Sequence, residues 1–77
     1  MIKVHNLKRS VGDFPSEWTA YINDDIKLTV YYRHSCITVE ENGKEVISGH
    51  VYGQPGGEMD TSTMIKIVSV FGYKFDD

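Results

Sequence analysis

The chain has 77 residues, 40% apolar and 12% aromatic, and its 8 basic and 11 acidic side chains leave a net charge of −3. A chain of that length is one domain, here read as spanning residues 1–77, and it buries only about 60% of its unfolded surface, which leaves no room for a deep catalytic cleft beside a full core. The balance is that of a folded chain rather than a disordered one. Its single cysteine, Cys36, excludes an internal disulfide and suits a reducing, cytoplasmic setting, and no stretch approaches the roughly 20 apolar residues of a membrane-spanning helix.

In chain order, "MIKVHNL" reads as a short strand and "KRSVGDFPS" as a connecting loop. The segment "SEWTAYINDDIKLTVYY" is the clearest. Trp18, Ala20 and Ile22 alternate with Thr19 and Tyr21, and after "NDD" Ile26, Leu28, Val30 and Tyr32 alternate with Lys27, Thr29 and Tyr31. Period-two alternation on both sides of a turn predicts an antiparallel hairpin with one buried face. Setting Ile22 against Ile26, Ala20 against Leu28 and Trp18 against Val30 puts the apolar set on one side, which specifies the register.

The short, polar "RHS" then reverses the chain into a second hairpin, "CITVEENGKEVISGHVY", whose Asn42-Gly43 pair supplies the positive φ angles of a two-residue type I′ turn. Glu41 then faces Lys44. In this up-down meander the Asp24-Asp25 turn and the Glu40, Glu41, Glu45 tip share one end of the sheet and make one acidic patch. Were residues 26–41 one long strand, the two tips would lie at opposite ends. The stretch "GQPGGEMDTST" reads as a surface loop, and its glycines match neither a phosphate loop nor a dinucleotide fingerprint.

The last segment, "DTSTMIKIVSVFGYKF", carries two signals. Met64, Ile67, Val68 and Phe71 share a helical face, Asp60, Thr61 or Ser62 can cap the start, and Gly72 sits where such a helix would end. Against this, Ile, Val, Phe and Thr favour strands. A helix over this segment is the expectation, because it would cover an apolar sheet face otherwise open to water.

The expected fold is therefore α+β: an antiparallel meander sheet of four or five strands with one C-terminal helix packed on a face, a small all-β barrel or sandwich being the alternative.

His34 and Cys36 are two apart on one probable strand, and His50 lies on the next. With the type I′ turn, Cys36 faces Gly49 and His50 points to the other side. With a three-residue loop at Glu41, Asn42 and Gly43, His34 faces His50 and all three share a face. Zinc takes two nitrogens and a thiolate, but the paired C-x-x-C or H-x-x-x-H spacing is missing, so neither a metal nor a cofactor is expected. A Cys36 thiolate with a histidine base is conceivable, yet a lone strand cysteine is more often a small buried hydrophobe. The carboxylates sit at turns, solvated rather than tuned, and no catalytic residue is assigned.

Tyr21, Tyr31 and Tyr32 with Lys27 and Arg33 resemble a stacking platform for single-stranded nucleic acid, with Lys8 and Arg9 as a phosphate-contacting arm. Two features oppose this alternative: Tyr32 falls on the inner face, and a net charge of −3 disfavours phosphate binding. The favoured reading is a non-catalytic protein that binds and modulates or inhibits another protein. Its acidic edge (Asp24, Asp25, Glu40, Glu41, Glu45) would meet a basic surface, one that normally holds nucleic acid being a candidate. Tyr21 and Tyr31 would anchor it, on an outer face joined by Ile37, Val39 and Val46 in the type I′ register. Compact inhibitors of this kind are common among phage and mobile-element products, though only size and acidity point that way. An exposed strand edge also leaves homodimerisation open.

Overall fold

The computed structural model describes residues 2–9, 16–51 and 59–75. The elements run β1 (Ile2–Arg9), β2 (Ser16–Ile22), β3 (Ile26–Arg33), β4 (Cys36–Glu41), β5 (Lys44–His50), α1 (Thr61–Ser69) and β6 (Tyr73–Phe75). They form one six-stranded sheet in the order β5-β4-β3-β2-β1-β6, which curls into a half-barrel around the helix. The α+β expectation of a sheet with one helix therefore holds, and the all-β alternative falls to α1.

Two details differ from expectation. The sheet has six strands rather than four or five, and it is mixed, because β6 returns parallel to β1 with Ile2 opposite Tyr73, Lys3 opposite Lys74 and Val4 opposite Phe75. Three residues are too few to show an alternating pattern, and α1 supplies the crossover that a parallel pair requires. Strand β1 also takes in Lys8 and Arg9 from the expected loop, while residues 10–15 of that loop, and 53–58 of the later one, lie outside the described residues.

The first hairpin has the expected register, with Ile22 opposite Ile26, Ala20 opposite Leu28 and Trp18 opposite Val30. The buried set follows from it: Trp18, Ala20, Ile22, Leu28, Val30 and Tyr32 line the inner face and meet Met59, Met64 and Val68 beneath the helix. Trp18 is fully buried, and its indole N–H donates to the Thr61 hydroxyl at 2.9 Å, pinning the first turn of α1 to the middle of β2. Asp60 caps the helix: its side chain accepts from the Thr63 backbone N–H at 3.3 Å and from the Ser62 hydroxyl at 3.1 Å. These bonds, Thr63 first, hold its carboxyl below the usual range.

The helix stops at Ser69, and Gly72, at φ 100°, reverses the chain into β6. Phe71 consequently leaves the apolar face assigned to it and stands exposed in the turn, a correction that follows from the helix being one turn shorter than the apolar pattern.

Ser16 ties three segments together. Fully buried, its hydroxyl accepts from the Arg9 guanidinium at 3.1 Å and from the Met59 backbone N–H at 3.1 Å. Arg9 also lies over the Trp18 ring, 5.1 Å from its centroid. Its guanidinium thus links β1 to β2 while the residue stays exposed. Close by, the Tyr32 hydroxyl is buried with no hydrogen-bond partner among the described residues.

These two hydroxyls should behave oppositely when removed. Ser16→Ala strands the Met59 N–H and should lower stability by about 2 kcal/mol in urea unfolding, whereas Tyr32→Phe deletes an unpaired polar atom and should leave stability unchanged or raise it by up to about 1 kcal/mol.

Candidate protein-binding face

The outer face of the sheet is set by a turn at residues 34–35. His34 (φ 54°) and Ser35 (φ 61°) both adopt left-handed backbone, the signature of a two-residue type I′ hairpin, although neither is Gly or Asn. This tight turn puts Arg33 opposite Cys36, Tyr32 opposite Ile37 and Val30 opposite Val39. Opposite residues share a face, so Ile37 and Val39 join the buried core. The expected outer apolar patch containing them does not form, because the phase of β4 is set by the tight turn at residues 34–35 and not by the Asn42-Gly43 turn.

The second hairpin starts in the expected type I′ register and then leaves it for one that neither expectation contained. The Asn42-Gly43 turn is present (φ 52° and 82°), and Glu41 faces Lys44 as expected. A bulge then inserts Val46 between Glu45 and Ile47, so that Glu40 faces Glu45 but Val39 faces Ile47, and Cys36 faces His50 rather than Gly49. The Cys36 Sγ and His50 Nδ1 are 3.9 Å apart. His34 sits in the turn. Among the described residues no group of three His, Cys, Asp or Glu side chains is placed to hold a metal ion.

The acidic tips do share one end of the sheet. Asn42 joins the two turns: its backbone N–H donates to the Lys27 carbonyl at 2.8 Å, its side-chain oxygen accepts from the Lys27 N–H at 2.9 Å, and its side-chain amide reaches the Asp25 carbonyl at 3.4 Å. Asp24 and Asp25 stand exposed at this end, beside Glu40 and Glu45 on the outer face. Glu41 has the opposite orientation. It follows Leu28 to the inner side and accepts a 2.6 Å hydrogen bond from the Tyr73 hydroxyl, making it a link between β4 and β6.

On the outer face lies an open concavity of about 660 Å³ lined by Glu17, Tyr31, Arg33, His34, Cys36, Thr38, Glu40 and Glu45. Tyr31 is half-buried in it, and its hydroxyl is directed at Glu40, 3.4 Å away, a contact too long to stabilise much but enough to orient the ring. Burial first, then the charges of Glu40 and Glu17, hold the Tyr31 phenol above its usual range, with Arg33 acting the other way. Tyr21 is exposed on β2, opposite His5. Sequence reasoning missed Glu17 and Thr38, although pairing Trp18 with Val30 already places Glu17 opposite Tyr31.

Chemically, this face sets three carboxylates and one guanidinium, Arg33, about an aromatic ring, a net negative lining that favours a further cation. No family profile, curated protein or solved structure matches the chain.

Two outcomes test this geometry. Ser35→Gly should stabilise the protein by up to about 1 kcal/mol, because glycine enters left-handed backbone without a Cβ penalty, while Ser35→Val should destabilise it. Burial, followed by the Glu41 hydrogen bond and charge, also raises the Tyr73 hydroxyl pKa. A raised folded value means that this contribution is complete below about pH 10, the ordinary tyrosine value, and is lost as pH climbs toward the folded one. Thermal stability should therefore fall at alkaline pH by a component that Tyr73→Phe removes.

Proposed function

We propose that the protein is a non-catalytic, cytoplasmic binding module that captures and modulates another protein through a basic surface of that partner. The supporting observation is the outer sheet face, where Glu17 and Glu40 flank Tyr31 and Glu45 and Arg33 share the lining of an open concavity, at the end of the sheet that carries the exposed Asp24-Asp25 turn. Glu40 and Glu45 are directly opposed like charges, an arrangement that disfavours the sheet by itself. A guanidinium or ammonium group from a partner would relieve that repulsion and could stack on Tyr31. Tyrosine is a favoured anchor at such surfaces, and depositing charge around it steers encounter. Inhibition of a partner that otherwise holds nucleic acid is the form of modulation this chemistry suits, since both ligands would compete for the same cations. The competing nucleic-acid reading gains no support, because Arg9 is engaged over Trp18 and Tyr32 is buried in the core.

The test is affinity capture from lysate with nuclease present, comparing the unaltered chain with an Asp24→Lys, Asp25→Lys variant and with Tyr31→Ala. A nuclease-resistant protein retained by the unaltered chain and lost from both variants, with their circular dichroism unchanged, is the expected result. Retention that ignores both changes would remove the acidic face from consideration.

A further inference from the structure

The sheet has two ends of opposite charge. At one end, Glu40 on β4 faces Glu45 on β5, and Val46, pushed out by the bulge, is 45% exposed beside them. At the other end, Lys3 on β1 faces Lys74 on β6. The same corner carries the most exposed apolar side chains among the described residues: Val70 is 81% exposed and Phe71 54%. Ile2 completes it, because its backbone N–H donates to the Gly72 carbonyl at 2.8 Å and so fixes the start of β1 against that turn. Lys66 lies one helical turn before Val70 and adds a third cation to the rim.

Like charges directly across a ladder weaken it, and here the fold tolerates such a pair at each end, of opposite sign. Large apolar side chains left in water beside a charged rim mark an interaction surface. The acidic pair and the basic pair are complementary in charge, and each has exposed apolar surface near it, Val46 by the first and the Val70–Phe71 turn by the second.

We infer that the partner of the acidic face includes a second copy of this chain, which presents its β1–β6 corner, so that Lys3 and Lys74 of one molecule meet Glu40 and Glu45 of the next. The inference rests on the reading that the acidic face binds a basic surface, and it names that surface. The contact joins two different patches, so it is either reciprocated in a two-fold pair or repeated head-to-tail. Repeated head-to-tail, it closes into a ring or continues as a chain of molecules. Being built on exposed charges, it weakens as salt shortens the screening length to about 3 Å at 1 M.

Sedimentation velocity on the full chain, over a range of concentrations and at low and high salt, tests this. The unaltered protein should gain mass with concentration at low salt and lose that gain at high salt. A Lys3→Glu, Lys74→Glu variant should be monomeric, and so should a Glu40→Lys, Glu45→Lys variant, each with an unchanged circular dichroism spectrum. An equimolar mixture of the two should associate again. A Lys27→Glu, Lys44→Glu variant, which changes net charge as the Lys3, Lys74 reversal does but keeps both surfaces, should still self-associate, which separates the contact from bulk charge. An unaltered chain that stays monomeric at low salt overturns the inference, as does self-association indifferent to either reversal. Neither result bears on capture of another protein by Asp24, Asp25 and Tyr31, so the two readings can fail separately.

Discussion

The structure depends on the contact between Trp18 and the helix. A six-stranded sheet with one apolar face cannot stand in water without a cover, and the covering element here is a helix of only nine residues. Such a short helix is not stable alone. It is held by burying Met64 and Val68 against the sheet and by the Trp18 N–H, which fixes Thr61 at 2.9 Å. Burying an indole removes roughly 200 Å² from water, on the order of 5 kcal/mol at about 25 cal/mol per Å². That is comparable with the whole net stability expected of a domain this small. Arg9 above the ring and Ser16 beside it then seal the edge of the same cluster.

The outer face is organised by turns instead. Asn23, His34, Ser35 and Asn42 all take left-handed backbone between strands, and none of the four is itself a glycine. Asparagine accepts this conformation readily, because its short side chain can bond locally; Asn42 does so with Lys27 and Asp25. His34 and Ser35 have less reason to, and the strain they carry is compensated by what the tight turn achieves. It brings Ile37 and Val39 into the core and leaves Thr38 and Glu40 facing out beside Tyr31. Core packing and surface chemistry are therefore decided together by two residues.

Much of this was legible in the amino-acid order. Alternation around Trp18 and Leu28 specified the first hairpin residue by residue, and Asn42-Gly43 specified the second turn. The shared end of the acidic turns followed from the meander. What escaped reading had no period to read. The bulge at Val46 is one inserted residue in a run of exposed positions, and it alone changes the neighbour of Cys36 from Gly49 to His50. Strand β6 is three residues long, and its partner lies at the far end of the chain. The phase of Ile37 depended on whether "RHS" formed a tight turn, and neither His nor Ser advertises left-handed backbone. For the face itself, Tyr31 was visible as an outward aromatic, while the inward course of Glu41 shares the phase of Ile37 and Val39 and so depended on the same turn.

The parallel pairing of β1 with β6 has a consequence for how the molecule reaches its native state. Strands β1 to β5 connect neighbours in sequence, so each hairpin can close on the scale of microseconds once its turn forms. The β1–β6 ladder instead joins Ile2 to Tyr73 across almost the entire chain, and its closure entropy is met only when the helix has already docked. It belongs to the slow, non-local class of contacts that limits folding rate. Until it forms, β1 is an open edge, which makes the last three-residue strand a kinetic guard against aggregation as well as the final piece of the sheet.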